Sequence, residues 1–376
     1  MKTENWKKVR LGDILLIQKK SKIKASDGIE NGIYPFFTCS NDIVRTYNSA
    51  QYKGPALIFG TGGKASVHFC DTEFSTSTDC LTYYPVSSEI NLDLVNQYIQ
   101  SNIYLLENGF KGAGLKHVSR DYIANIEINL PDIKTQDYIV QKLNKAKNII
   151  SNSKKLLTKY DLLIKSRFIE MFGDPVLNPM GWEEVKITEL CKNPDDIKCG
   201  PFGTQLSKDE YQKDGVPVFG IPQINSSFRV LPIDFLANSK AEKLDAYSLI
   251  CGDIAMSRKG NVGKCAIYSG KEKGIIHSDV VRLRVDNTVC NSIYLMNQLH
   301  ISPKVETQIS NVSSGAIMAG INVTKMKNII VYNPPLSLQT AFAAFVQQID
   351  KSKFTVQKSL EKAETLYKSL MQEYFA

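Results

Sequence analysis

Two short segments of the sequence carry residue types that could support methyl transfer to a base. Phe110-Lys111-Gly112-Ala113-Gly114 fits the F-x-G-x-G pattern of an S-adenosylmethionine loop, and Asn333-Pro334-Pro335-Leu336 nearly fits the N-P-P-aromatic pattern that holds a flipped adenine. The glycines do not follow a clear buried strand, and Leu336 lacks the aromatic face that stacks a flipped base. These segments therefore do not predict a methyltransferase site.

Motifs for metal-dependent chemistry are also incomplete. The segments at 131–134 (PDIK) and 194–198 (PDDIK) place a carboxylate near a lysine, but a metal-dependent nuclease needs a further carboxylate from another strand to bind Mg²⁺. The histidines at 68, 117, 277 and 300 form no H-x-x-x-H pattern, and the eight cysteines form no C-x-x-C pair. The sequence predicts no catalytic site, no metal and reduced cysteines.

Residues suited to contact DNA occur in two loops at matching places in the chain. Sequence-specific contacts need hydrogen-bonding side chains that reach base edges, supported by Lys and Arg on phosphates. The loops at 60–66 and 257–264 each lie between apolar, β-prone segments. We predict DNA contacts by Thr61, Lys64, Ser66, Ser257, Arg258, Lys259, Asn261 and Lys264. The alternative is a pair of solvated hairpin turns, in which Gly, Asn and Lys are common.

Each of these loops belongs to a β-rich segment that is followed by a long helical segment. Short β-branched or aromatic runs separated by Gly-rich turns occupy 54–86 and 249–285. Apolar or small residues then recur at alternating spacings of four and three, and no Gly or Pro interrupts 137–172 or 340–376. The pattern predicts two helices of about 35–40 residues, each about 50–60 Å long.

The two heptad stripes predict an antiparallel coiled coil between these helices. The predicted seam comprises Leu143, Ile150, Leu157, Ile164, Val346, Ile349, Val356 and Leu360. An isolated heptad stripe needs a partner helix, and the other copy lies in the same chain. An antiparallel pair would hold the globular domains about 50 Å apart, which corresponds to about 15 base pairs.

The whole plan occurs twice. The segment at 6–14 (WKKVRLGDI) matches 182–190 (WEEVKITEL) at an offset of 176, whereas the helical segments match at an offset of 203. We therefore predict an α+β chain with an internal pseudo-twofold repeat. Two β-rich globular domains are expected at 1–131 and 181–335, a central long helix with its turn at 132–180, and a C-terminal long helix at 336–376.

Composition fits a nucleic-acid partner. A length of 376 residues suggests two or three domains, and 43% hydrophobic with 22% charged residues suits packed cores. The excess of 46 Lys and Arg over 38 Asp and Glu gives a net charge of +8, a mild bias towards an anionic partner. Because the sequence contains neither a long apolar stretch nor a signal peptide, we expect a cytoplasmic protein without membrane contact.

Together these features resemble the DNA-specificity subunit of type I restriction-modification systems. The resemblance rests on the W-x-x-V pattern at the start of each repeat, the dissimilar central parts of the two repeats, and the proline and glutamine that begin each long helix. It also rests on the sequence FIEMFGDP at 168–175, where the first long helix ends. It covers essentially the whole chain. It implies that each globular domain is a target-recognition domain, which reads one half of a bipartite, asymmetric DNA sequence.

The resemblance also implies partners and further DNA contacts. Two copies of the methyltransferase (modification) subunit would dock on the helices, and endonuclease/translocase (restriction) subunits would bind outside them. The cofactors S-adenosylmethionine, ATP and Mg would then belong to those partners, with none in this non-catalytic chain. In this family a Gly-rich stretch late in each domain resembles part of the DNA-facing surface, which adds Lys111, Lys116, His117, Arg120, Ser313 and Ser314.

Two other interpretations remain open at this point. The chain could be a two-headed coiled-coil scaffold for proteins, without DNA specificity, or a subunit with its own methyltransferase activity. Absence of salt-sensitive DNA binding would favour the scaffold, and bound S-adenosylmethionine would favour the enzyme.

Overall fold

The computed structural model describes residues 6–42, 45–112, 114, 116–260, 262–313 and 323–375. The chain divides into two compact units: unit 1 comprises Met1–Lys155 and Gln357–Ala376, and unit 2 comprises Leu156–Val356. Each unit therefore contains one part of each long helix. The four predicted segments, 1–131, 132–180, 181–335 and 336–376, follow the sequence repeat and have different boundaries from these units. Their boundaries stay a prediction.

In its described residues, unit 1 has ten strands and four short helices before the first long helix. The strands are β1 (Lys7–Arg10), β2 (Leu15–Ile17), β3 (Tyr34–Phe37), β4 (Arg45–Tyr47), β5 (Tyr52–Lys53), β6 (Ala56–Gly60), β7 (Ser66–Cys70), β8 (Glu73–Thr76), β9 (Cys80–Pro85) and β10 (Glu127–Leu130). The helices are α1 (Leu11–Ile14), α2 (Leu92–Ser101), α3 (Tyr104–Glu107), α4 (Arg120–Ala124) and the long α5 (Ile133–Phe172). The strands form two four-stranded sheets, β2-β9-β6-β7 and β4-β3-β8-β5, and a two-stranded pair, β1-β10.

The described part of unit 2 repeats this topology. Its strands are β11 (Glu184–Lys186), β12 (Ile197–Cys199), β13 (Val216–Phe219), β14 (Phe235–Leu236), β15 (Ser248–Leu249), β16 (Ile254–Ser257), β17 (Cys265–Ile267), β18 (Gly274–Ile276), β19 (Val280–Leu283) and β20 (Ile330–Tyr332). Its helices are α6 (Ile221–Asn225), α7 (Asn238–Lys243), α8 (Ser292–Ile301), α9 (Pro303–Ser313), α10 (Val323–Met326) and the long α11 (Leu336–Phe375). The sheets are β12-β19-β16-β17, β14-β13-β18-β15 and β11-β20, so each strand occupies the position of the strand numbered ten lower in unit 1. The predicted α+β class and the internal repeat of elements are confirmed.

The two long helices, α5 and α11, have 40 residues each, which confirms the predicted lengths. Helix α5 is followed by Gly173, whose N–H donates to the Ile169 carbonyl at 2.8 Å and whose φ of +80° suits a residue without Cβ. The Trp182 indole Nε1 donates to the Phe172 carbonyl at 2.8 Å, which pairs one of the carbonyls left free at the end of the helix. No helix in the described ranges combines the length and the apolar character needed to cross a membrane.

The long helices run antiparallel within each unit. In unit 1, Lys154 forms an ion pair with Glu364 at 3.0 Å, and Lys147 lies over the ring of Tyr367. In unit 2, Lys353 forms an ion pair with Asp161 at 2.6 Å, and Arg167 lies over the ring of Phe345. In both units the partner number falls as the number along α5 rises, which confirms the antiparallel pair.

The predicted seam residues lie on the inner side of these helices. Leu143, Ile164, Val346 and Leu360 are buried, and Ile150, Leu157, Ile349 and Val356 are half-buried. Leu143 joins the core of unit 1, and Ile164 and Val346 join the core of unit 2. These three seam residues are therefore part of the hydrophobic cores of their own units.

A buried glutamine near the start of each long helix explains the repeated proline and glutamine. The Gln136 Oε1 accepts from the Asn91 N–H at 2.8 Å, and its Nε2 donates to the Pro131 carbonyl at 2.9 Å. Gln339 makes the same contacts with the Asn291 N–H and the Pro334 carbonyl. The glutamine amide thus joins the N-terminus of α2 or α8 to the start of the long helix. Because this buried amide is hydrogen-bonded on both its oxygen and its nitrogen, it specifies how the two helices are placed.

Candidate nucleic-acid interface

The loop between β6 and β7 is fixed at its start by the turn that precedes β9. The Thr61 N–H and Oγ1 both donate to the Asp79 carbonyl at 2.8 Å. Gly60 pairs with Ser66 at the end of the β6-β7 ladder, so the residues between them project beyond the sheet. Gly63 adopts a φ of +78°, which turns the chain sharply before Lys64.

The structure brings together the two predicted DNA stretches of unit 1. The Val118 N–H donates to the Thr61 carbonyl at 3.1 Å, and the Gly63 N–H donates to the Lys116 carbonyl at 3.1 Å. Lys111 and His117 exchange backbone hydrogen bonds of 2.9 and 3.0 Å. The described residues of these two stretches, 61–66, 111, 112, 114 and 116–120, therefore lie side by side, and we name them the loop pair.

The loop pair presents positive charge to solvent. Lys64, Lys111, Lys116 and Arg120 are all exposed, and none of them has an ion-pair partner among the described residues. The exposed His117 is fixed through its Nδ1, which donates to the Thr61 carbonyl at 3.2 Å. Val118, at 4% exposure, anchors the second stretch in the core. A fixed backbone thus carries unpaired cations, which suits an anionic ligand.

A cysteine lies directly beneath the loop pair. The Cys39 Sγ donates to the Asp79 carbonyl at 3.0 Å and accepts from the Gly62 N–H at 3.4 Å. The hydrogen bond with the Cys80 thiol, together with the Gly62 N–H, lowers the pKa of Cys39 to about 6. This sulfur therefore adds a further backbone anchor for the loop at Gly62.

Unit 2 builds its loop on the same backbone contacts. The Arg258 N–H donates to the Asp279 carbonyl at 2.8 Å, as Thr61 does to Asp79. The Lys259 Nζ lies 2.8 Å from the Asp279 Oδ1, and the Arg258 Nη1 donates to the Ser278 carbonyl at 3.4 Å. Lys264, at the other end of this loop, is exposed. The two loops thus share their backbone contacts, whereas Arg258 and Lys259 of unit 2 have side-chain partners in the protein.

Two of the predicted contact residues are wrong. Ser66 and Ser257 are 1% and 0% exposed, and their hydroxyls have no hydrogen-bond partner. Ser66 begins β7 and Ser257 ends β16, so each side chain lies inside the sheet and not in the loop. Both serines are therefore structural, and they cannot reach DNA in this conformation.

The remaining predicted residues, apart from Arg258 and Lys259 described above, fall into three groups. The Thr61 hydroxyl is used to anchor the loop, whereas Lys64, Lys111, Lys116, His117, Arg120 and Lys264 are exposed. Asn261 and Ser314 lie outside the described residues. Ser313 ends α9, and its side chain is also outside the described part of the chain.

Sequence reasoning missed Asp79 and Asp279, whose carbonyls begin the two loops. A signal was present, because Thr78-Asp79 and Ser278-Asp279 precede equivalent strands, β9 and β19, at an offset of 200. A hydroxyl residue followed by Asp is a common turn sequence, and its repetition marks a shared frame.

The motifs that resembled catalytic sites have structural roles. Lys111, within the F-x-G-x-G segment, forms the β-bridge with His117. Asn333, within the N-P-P-L segment, accepts from the Gln339 Nε2 at 3.0 Å and so belongs to the glutamine contact of α11. Within the described ranges, no three His, Cys, Asp or Glu side chains are grouped to hold a metal ion.

The family model of the type I restriction modification DNA specificity domain matches residues 3–159 and 179–364. The type I restriction enzyme MjaVIII specificity subunit of Methanocaldococcus jannaschii is 22% identical over 408 aligned residues, covering 98% of this chain and 91% of that protein. The EcoDI specificity subunit of Escherichia coli is 21% identical, covering 99% of this chain and 87% of that protein. The crystal structure of a type I S subunit from M. genitalium has a TM-score of 0.74 at 15% identity, over 99% of this chain and 96% of that one, which shows a common fold.

Proposed function

The chain belongs to the type I restriction-modification DNA specificity family, and from that premise we propose that each of its two units reads one half of a bipartite, asymmetric DNA target. The chain is a DNA-recognition subunit of such a system and performs no catalytic step itself. Specificity then depends on the side chains that each unit presents from its loops.

The loop pair of unit 1 carries this proposal. Its four cations, Lys64, Lys111, Lys116 and Arg120, project from two stretches that backbone hydrogen bonds join. Phosphate contacts by Lys and Arg supply affinity and fix the register on the duplex, while side chains that reach base edges supply the sequence preference. The fixed backbone keeps these side chains in one arrangement before DNA arrives, which lowers the entropic cost of binding.

Unit 2 supports recognition of a different half-site. Arg258 occupies the frame position of Thr61, because each follows the matching strand and donates its N–H to an Asp carbonyl. A guanidinium can donate two hydrogen bonds to the O6 and N7 of guanine, which a Thr hydroxyl cannot do. Because equivalent positions carry different side chains, the two half-sites differ in sequence.

The long helices supply the surface for protein partners in this proposal. Leu162, Leu163 and Ile169 of α5 are 58%, 45% and 41% exposed in unit 2, which is unusual for a helix face that contacts only water. Two copies of an adenine methyltransferase subunit dock along the helices, and endonuclease/translocase subunits bind outside them. S-adenosylmethionine, ATP and Mg²⁺ are bound by those partners.

Mapping of methylated adenines tests the proposed function. The chain is co-expressed with its cognate methyltransferase subunit, and N6-methyladenine is located on the host genome by long-read sequencing. We expect one split, asymmetric motif with a modified adenine on each strand. The methyltransferase expressed alone serves as the control and should give no motif. A motif without a spacer, or a stable complex that methylates no defined sequence, would contradict the proposal.

A further inference from the structure

A run of lysines lies next to the loop pair of unit 1. Lys19, Lys20, Lys22 and Lys24 occur within six residues, and all four are exposed. None of their ammonium groups has an ion-pair partner among the described residues. The segment thus concentrates positive charge that the fold itself does not use.

The backbone of this segment is fixed to the same turn as the loop pair. The Thr78 N–H donates to the Ile23 carbonyl at 2.8 Å, and the next residue, Asp79, accepts from the Thr61 N–H. At the other end of the segment, the Gln18 N–H donates to the Thr82 carbonyl at 2.8 Å. The consecutive residues Thr78 and Asp79 therefore connect the lysine segment and the loop pair to the same turn.

Burial alternates along the segment. Ser21 is buried and Ile23 is half-buried, while Lys20, Lys22 and Lys24 between and beside them are exposed. The side chains of Lys20, Lys22 and Lys24 therefore lie on the solvent side of the segment, and we call these three residues the lysine row. The nearest carboxylate in sequence, Asp27, accepts from the Lys24 backbone N–H at 3.0 Å and not from an ammonium group.

Unit 2 has no such row in the equivalent place. The segment after β12 reads Gly200-Pro201-Phe202-Gly203, and Phe202 is 61% exposed. The Nζ of Lys198, which precedes it, lies 5.4 Å from the ring centre of Tyr247. Because the same topology forms without these lysines, the row in unit 1 is not needed for folding.

We propose that Lys20, Lys22 and Lys24 form an additional DNA contact of unit 1, to the sugar-phosphate backbone of the duplex next to the bases that the loop pair reads. This inference rests on the proposed function. Three exposed ammonium groups within five residues of the chain suit the closely spaced phosphates of a DNA strand. Phosphate contacts carry no sequence information, so the row sets affinity and register while the recognised motif depends on the loops.

The test compares the salt dependence of DNA binding by the complex with its methyltransferase. The variant K20Q/K22Q/K24Q removes three charges. Each lost phosphate contact lowers the slope of log affinity against log salt by about 0.9, so the slope should fall by about 2.7. When salt is raised from 50 to 200 mM, the affinity of the wild type should fall by a factor about 40 times larger than the factor for the variant. The methylated motif should be unchanged.

Two control variants make the outcome specific. K20R/K22R/K24R keeps the charges and should keep the wild-type slope, which separates contact from misfolding. K213Q/K243Q/K271Q removes three exposed lysines of unit 2 outside its predicted DNA loop, and it should leave the slope nearly unchanged. If the wild-type complex binds DNA with a steep slope and K20Q/K22Q/K24Q retains it, the lysine contact is refuted. If the wild-type complex itself shows no specific binding, the proposed function fails instead.

Discussion

Unit 1 and unit 2 make the same backbone contacts at the start of their predicted DNA loops, but the loops carry different charged side chains. In both, the first loop residue donates its N–H to an Asp carbonyl at 2.8 Å, from Thr61 to Asp79 and from Arg258 to Asp279. In unit 1 the Asp79 side chain has no lysine partner in the described residues, and the cations of the loop pair face solvent. In unit 2 the Asp279 carboxylate forms an ion pair with Lys259.

The difference shows which part of each unit is constrained by folding. The ten strands keep their order in both units because the hydrogen-bonded ladder and the buried face determine it. The loops beyond the ladder contribute little to the core, so their side chains are free to differ between the units. We therefore expect unit 1 to supply more of the salt-dependent affinity, and unit 2 to depend more on directed contacts.

Removal of the loop-pair charges is the strongest test of this comparison. The variant K64Q/K111Q/K116Q/R120Q should lower the salt slope by about 3.6, which corresponds to about 150-fold between 50 and 200 mM salt. The measurement is the affinity of the methyltransferase complex for a cognate duplex at several salt concentrations. As a matched control, K208Q/K213Q/K243Q/K271Q removes four charges from unit 2 outside its loop. An equal change in both variants would show that only net charge matters and would break the comparison.

Arg258→Ala should weaken binding and relax the sequence preference of one half-site. Loss of a guanidinium that contacts a base weakens the binding free energy for DNA with the correct base by about 1–3 kcal/mol. It changes the binding free energy for DNA with another base at that position very little. Lys64→Ala in unit 1 should instead lower affinity for all sequences and reduce the salt slope by about 1. Competition binding with single-base variants of the target distinguishes these effects. A uniform loss for Arg258→Ala would assign it to a phosphate, and unchanged affinity for both variants would remove these loops from the interface.

Asp279→Asn should make unit 2 resemble unit 1. The substitution frees the Lys259 ammonium from its ion pair at 2.8 Å, while the backbone carbonyl that accepts from Arg258 remains. We expect a salt slope steeper by up to about 1 and a modest rise in affinity for unrelated DNA. Asp79→Asn, where no lysine is released, is the matched control and should change the slope less. Equal effects of the two substitutions would show that the ion pair does not restrain Lys259.

Ser66→Ala and Ser257→Ala should have the smallest effects. Both hydroxyls are buried without a hydrogen-bond partner, so their removal leaves no group unpaired. The free energy of unfolding should stay the same or rise by about 1 kcal/mol, and DNA affinity should not change. Thermal or denaturant unfolding and the same binding assay measure both quantities. A clear loss of affinity in either variant would restore these serines to the interface.

Much of the fold follows from short-range pattern. The heptad stripes and the absence of Gly and Pro predict both long helices, which start 203 residues apart and have equal length. The ends of the repeat are similar because they perform the same packing task, as the Gln136 and Gln339 contacts show. Local sequence is sufficient where a periodic apolar face and a helix terminus determine the structure.

The candidate site is less accessible to such reasoning, because its geometry depends on long-range pairing. The sequence alone does not reveal that Thr61 pairs with Val118, or that the β6-β7 ladder extends as far as Ser66 and buries its hydroxyl. If the pairing register between β6 and β7 differed by one residue, the Ser66 side chain would lie on the opposite face of the sheet. The lysines at 19–24 are visible in the sequence, but only the contact between Ile23 and Thr78 places them beside the loop pair.

Exchange of one recognition region tests the central claim most directly. Residues 181–333 are replaced by the corresponding region of another specificity subunit, the hybrid is co-expressed with the methyltransferase, and methylated adenines are mapped. If each unit reads one half of the target, one half of the motif changes to that of the donor and the other half is retained. A change in both halves, or in neither, would contradict the claim that the two units recognise DNA independently.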